Sequence, residues 1–111
     1  MAVPAKPPLT FIAGDDETFI LTICSDADGT VPVDITGRTY VMSIAPDGGS
    51  VVASDAGTVN GAAGEVTFLF TATVTEALGL VPHRYDVVET ASGAESTLII
   101  GLLNVVPGVT A

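Results

Sequence analysis

The chain has no tryptophan, one cysteine and one histidine, and only 3 Lys+Arg against 13 Asp+Glu. Each shortage excludes something. A single cysteine, Cys24, cannot form an intrachain disulfide or a cysteine-based zinc site of its own, and points to synthesis in a reducing cytoplasm. The few cations, Lys6, Arg38 and Arg84, are scattered, and the net charge is −10 with a pI near 4.1, so nucleic acid is not an expected partner. With aromatics at 5%, the ring-rich surface of sugar-binding modules is missing. The longest apolar run, Leu98 to Val106, is about half of the ~20 residues that span a bilayer, so no membrane partner is expected. The N-terminus, Met1-Ala-Val-Pro-Ala-Lys-Pro-Pro, carries prolines where a signal peptide places an apolar helix, and no secretory signal is expected.

What remains is an unusual mixture. The chain is 111 residues long, 48% hydrophobic and 14% charged, with a mean hydropathy of +0.59. Acidic disordered tails are rich in charge and poor in apolar residues, so this chain is not one of them. Its length fits one domain, and its stability must come from apolar burial or from assembly.

Short segments of β character alternate with Gly, Pro, Asp and Ser. Residues 1–8 read as an extended Pro-rich arm, 9–107 as the folded domain and 108–111 as a tail. Expected strands are Leu9 to Ala13; Glu17 to Cys24, with Phe19, Leu21 and Ile23 on one face; Gly37 to Ala45, with Tyr40, Met42 and Ile44 sharing a face; Ser50 to Ser54; Gly64 to Thr71; Pro82 to Thr90; and Glu95 to Val106. Pro46-Asp47-Gly48-Gly49 reads as a hairpin turn, and Asp55 to Gly64 as a loose, Gly-rich link. Thr73 to Gly79 is the best candidate for one helical turn, capped by Thr73 with Glu76 three residues on and ended by Gly79. About seven strands with one helical turn and no long helical period imply an all-β, antiparallel β-sandwich.

The motifs resemble, in their order, those of the small immunoglobulin-like modules of phage virions, including the N-terminal domain of baseplate upper proteins and related tail-fibre or head-associated accessory proteins. The carriers are Gly14-Asp15, Asp34-Ile35-Thr36-Gly37, Gly64-Glu65-Val66-Thr67-Phe68, Thr75-Glu76-Ala77-Leu78, Tyr85-Asp86-Val87 and the mid-strand Gly101. The resemblance spans Leu9 to Val106 and departs between Leu78 and Tyr85, where Pro82 and His83 intervene. It implies an immunoglobulin-like sandwich, a structural role in a virion, and no catalytic residues or cofactor. Tyr85, at the start of a late strand, reads equally as a tyrosine corner or as an ordinary core tyrosine.

The residues offer little for catalysis. His83 reads as an exposed histidine at the start of a strand, with Asp86 on the opposite face, so no Ser-His-Asp arrangement is expected. Cys24 has no basic neighbour to activate it and reads as a small apolar filler or interface residue. An EF-hand loop beginning at Asp26 would need Gly at position 31 and Glu at position 37, where this chain has Val31 and Gly37. A calcium site joining Asp26, Asp28 and Asp34 is the remaining metal reading.

The last strand is apolar on both faces. Taking Leu98, Ile100 and Leu102 as inward makes Ile99, Leu103 and Val105 outward, and Ile20, Val41, Leu69 and Val88 also read as outward. Ile99, Leu103, Val105, Val88 and Leu69 are therefore the interface candidates, and Leu103→Asp is expected to spare the fold and weaken assembly. The acids gather in turns, at Asp15, Asp16, Asp26, Asp28, Asp47 and Asp55. The functional expectation is a non-enzymatic virion accessory protein, made in the host cytoplasm, forming a homo-oligomer and docking on capsid or tail/baseplate proteins through apolar faces and edge strands. The alternative is a calcium-dependent adhesion or carbohydrate-binding sandwich.

Overall fold

The computed structural model describes residues 8–25 and 31–108. The elements run β1 (Leu9–Ala13), β2 (Glu17–Thr22), β3 (Thr39–Pro46), β4 (Ala53–Ala56), β5 (Thr58–Asn60), β6 (Glu65–Phe70), α1 (Ala72–Ala77), β7 (His83–Ala91) and β8 (Ala94–Pro107). The fold is all-β and sandwich-like. A large sheet of five strands, in the order β1-β8-β7-β3-β4, faces a small one of three, in the order β2-β6-β5. The large sheet is mixed, because β1 runs parallel to β8 with Leu9 opposite Leu103 and Ala13 opposite Pro107. The expectation of a purely antiparallel sandwich is corrected to that extent.

The core forms where the expected apolar phases meet. Tyr40, Met42 and Ile44 of β3 are buried, as are Val66, Phe68 and Phe70 of β6, and Ile23 beyond the end of β2. Phe19 lies parallel to Phe68 at 6.3 Å and meets Tyr85 edge-on at 6.1 Å, while Phe11 tilts against Phe70 at 5.7 Å. Such ring pairs add about 0.5–1.5 kcal/mol each beyond area burial. With few rings in the chain, nearly all are spent on this seam between the sheets.

The chain changes sheet four times, between β1 and β2, β2 and β3, β4 and β5, and β6 and β7, and two of these crossings show a local cause. The turn after β1 is drawn tight by a bond from Asp15 N to Ile12 O at 3.1 Å, and Glu17 Oε2 accepts from Ile12 N at 2.7 Å. Helix α1 locks that turn. Its buried Thr75 hydroxyl accepts from Gly14 N at 3.1 Å and donates to Asp15 O at 2.8 Å. Asp16 Oδ1 accepts from Ala72 N at 2.7 Å. The N-cap is Thr71, without a side-chain bond of its own, so the expected cap at Thr73 is corrected: a carboxylate from the neighbouring turn serves the orphan amide instead. Gly79, at φ +83°, follows the last turn as expected.

The crossing from β4 to β5 corrects another expectation. Asp55 to Gly64 is not a loose link: half of it is strand, with the end of β4 in the large sheet and β5 in the small one. Gly57 is the pivot between them, its amide donating to Tyr40 O at 3.0 Å. A Cβ at Gly57 would stand 2.2 Å from Val66 Cγ1 and 2.8 Å from Phe68 Cε1, so only a bare backbone can cross the seam here. Asp55 belongs to β4, where its Oδ2 accepts from Leu69 N of β6 at 2.9 Å and ties the two sheets together.

The β7–β8 hairpin turns through Ser92 and Gly93, both with positive φ (52° and 81°), as a two-residue hairpin loop of primed type requires. Farther along the pair lies a bulge. Val87 is opposite Ile99 and Val88 is opposite Thr97, so Leu98 is an extra residue on β8. Leu98 and Ile99 are consequently both buried, and the alternation beyond them is inverted relative to an unbroken strand. Ile99 (2% exposed), Leu103 (0%) and Val105 (7%) are in the core, whereas Ile100, Leu102 and Val106 are exposed. Three of the five interface candidates are thereby corrected. Gly101 has the inward phase too, and the Tyr85 ring fills its place: an added Cβ would lie 2.6 Å from Tyr85 Cε1.

Candidate functional site

Among the described residues, His83, Asp86 and Cys24 do not come together. His83, expected at the surface, is buried at 1% exposure, because it opens β7 on the inward phase shared with Tyr85 and Val87. Its Nδ1 donates to Val81 O at 2.6 Å, and its Nε2 is buried without a protein partner. Asp86 lies on the opposite face of the strand, among the residues lining a surface pocket. Cys24 is half-buried and bridges to Pro32.

Of the calcium trio, Asp26 and Asp28 lie outside the described residues. Asp34 is engaged locally: its Oδ1 accepts from Thr36 N at 3.0 Å and from Thr36 Oγ1 at 2.6 Å. These two bonds, the side-chain one first, hold its carboxyl below the usual range. Among the described residues, no group of three or more His, Cys, Asp or Glu could hold a metal ion.

The buried carboxylate, Glu89, has a structural explanation. Its Oε2 accepts from the Tyr40 hydroxyl at 2.6 Å and from Arg38 Nη1 at 3.3 Å. Burial, and then the bond to Glu89, push the Tyr40 hydroxyl above its ordinary range, and the same carboxylate raises Arg38. Glu89→Leu leaves the Tyr40 hydroxyl without its acceptor in the core. The expected cost is about 1–3 kcal/mol, read as a lower urea midpoint at unchanged slope.

The surface that stands out is the outer face of the large sheet. Its residues follow from the register: Val41 opposite Val88, Ser43 opposite Asp86, Ala45 opposite Arg84, Asp86 opposite Ile100, Arg84 opposite Leu102, and Ile12 opposite Val106. Ile12, Val41, Ile100, Leu102 and Val106 are exposed, Leu102 most of all at 61%. A sheet with one wet face ordinarily shows polar residues there, whereas here exposed apolar side chains share the face with the polar ones. At its centre a pocket is lined by Ser43, Ala45, Val51, Arg84, Tyr85, Asp86 and Ile100. Burial raises the Asp86 carboxyl above its usual range, and Arg84 pulls it partly back. Arg84 itself reaches Asp47 at only 3.7 Å in an exposed pair.

Of the two remaining interface candidates, Val88 lies half-buried on this face. Leu69 is exposed on the outside of the small sheet, diagonal to the exposed Ile20. The residues that sequence reasoning missed are Ile12, Ile100, Leu102, Val106 and the Arg84/Asp86 pair. A signal for the phase was present: Asn104, the polar residue within the run Leu98 to Val106, shares the parity of Ile100, Leu102 and Val106. Compared with known families and with curated proteins, the chain matches none.

Proposed function

We propose that this chain is a non-enzymatic structural accessory protein of a phage virion, an immunoglobulin-like module that docks on capsid or tail/baseplate proteins through apolar faces and edge strands. The observation that carries the reading is the outer face of the large sheet, where Ile12, Val41, Ile100, Leu102 and Val106 stand exposed. Here the apolar surface lies on a sheet face, and the buried polar groups Glu89 and Thr75 are occupied in holding elements together.

The strand order supports the immunoglobulin-like assignment. The run β8-β7-β3-β4 corresponds to strands G, F, C and C′, and β2-β6-β5 to B, E and D. The order of motifs from Gly14-Asp15 to Gly101 supports the virion setting.

Quantitative mass spectrometry of purified particles tests it. The chain is expected at a fixed copy number, on the scale of the shell for a capsid position and on the scale of the tail tip for a baseplate position. Absence from purified particles overturns the reading.

A further inference from the structure

We infer that the outer face of the large sheet is covered by a second copy of this chain, in a two-fold pairing that sets Arg84 of each copy against Asp86 of the other. The inference rests on the reading above and gives this face to self-pairing, which leaves capsid or tail/baseplate proteins to the edge strands and the remaining apolar surface.

The first argument is charge. Two chains of net charge −10 repel one another, so a self-pairing surface must be one that the acids avoid. The centre of this face carries one cation and one anion, Arg84 and Asp86, among otherwise apolar and small residues. Glu95 lies at the far end of β8, opposite Thr90. Asp47 is at the rim, and its exposed contact with Arg84 at 3.7 Å is of a kind worth little, so the guanidinium can exchange it for a better one.

The second argument is geometric. Arg84 and Asp86 are two residues apart on the same face of β7, so they stand roughly 7 Å apart along the strand. A two-fold axis lying in the interface, perpendicular to β7 and passing over Tyr85, carries each onto the other. It therefore stacks Arg84 over the second copy's Asp86 and Asp86 over its Arg84. An axis along the strand would instead set Arg84 on Arg84 and Asp86 on Asp86, which like-charge repulsion excludes.

The neighbouring strands agree with the same axis. Ile100 is level with Asp86 and Leu102 with Arg84, so Leu102 of one copy meets Ile100 of the other. On β3, Ser43 is level with Asp86 and Ala45 with Arg84, so small residues face each other and leave room for the central charged pairs. Two sheet faces packed in this way are about 10 Å apart. The contact is isologous and closes at a dimer.

Charge reversal tests the pairing by sedimentation velocity on the full chain. The unmodified protein is expected to sediment as a dimer, and Arg84→Asp and Asp86→Arg each as a monomer. Mixed in equal amounts, the two variants are expected to restore the dimer, because one then carries two cations and the other two anions at the paired positions. Leu102→Asp is expected to be monomeric. A monomeric parent, a dimer that survives either reversal or Leu102→Asp, or a mixture that stays monomeric overturns the inference. Circular dichroism confirms the fold of each variant, and if Arg84→Asp unfolds, Leu102→Asp decides. A monomeric parent still found in virions sinks the pairing alone, whereas a dimer absent from virions sinks the virion reading alone.

Discussion

Leu103→Asp is expected to abolish folding, and Leu102→Asp, one residue away, to fold and to lose only what the pairing of two copies adds. Leu103 is 0% exposed and contributes to the core between the sheets, while Leu102 is 61% exposed on the outer face. Truncating a buried leucine costs about 2–5 kcal/mol through lost transfer energy and the cavity left behind. Aspartate adds the desolvation of a carboxylate with no cation beside it. Against a total of about 5–15 kcal/mol for a small domain, the two together remove most or all of the stability. In the unpaired chain the carboxylate at position 102 stays in water, and surface changes of that kind fall within about 0.5 kcal/mol. Far-UV circular dichroism and thermal melts of the two variants check the pair. If Leu103→Asp folds and Leu102→Asp does not, the phase of β8 is the reverse of that described.

The same experiment reverses what the sequence implies for Leu103. Alternation carried forward from Leu98 assigns Leu103 to the surface, and the bulge at Leu98 shifts every later residue of β8 by one position. A strand apolar on both phases provides little internal correction for such a shift. The contribution of Asn104 to the pattern is a single polar residue, too slight to outweigh Ile100 and Leu102.

Gly57→Val is expected to be the other severely destabilising change. The Cβ alone would lie 2.2 Å from Val66 Cγ1 and 2.8 Å from Phe68 Cε1. Val66 and Phe68 are fully buried, and Gly57 sits where the chain passes from the large sheet to the small one. Inserting carbon into a close-packed core costs about 1–3 kcal/mol where the neighbours can shift. Here they are held by the β2–β6 and β5–β6 ladders. Gly57→Ala is expected to lose about that amount, and Gly57→Val more, with the crossing itself displaced. Urea titration measures both. A valine variant with the parent midpoint would show that the seam is looser than the distances imply.

Local pattern carried a good deal of the fold. β1 matches the segment read from Leu9 to Ala13, the inward residues Tyr40, Met42 and Ile44 are as expected, and the hairpin and helix-ending glycines fall where turn chemistry puts them. These features are decided within a few residues, by alternation, φ preference and the breaking power of Gly and Pro. The candidate surface was legible only in outline. An excess of apolar residues over what one core needs is a property of composition, and it announces a second surface without locating it.

Everything that located that surface required the partner strand. β1 pairs parallel to β8 because the turn at Gly14 to Asp16, clamped by Thr75 from α1, sends β1 and β2 into different sheets. His83 is buried because its phase on β7 is tied to Tyr85, whose ring occupies the space over Gly101 on the next strand. Asp86 and Arg84 gain meaning only beside Ile100 and Leu102, which are more than a dozen residues away in the chain and level with them in the sheet. By itself the sequence determined an acidic, apolar-rich β chain with its turns in place, because those follow from local chemistry. Which apolar phase became core and which became surface was decided by the tertiary structure, since a one-residue bulge between two strands sets it.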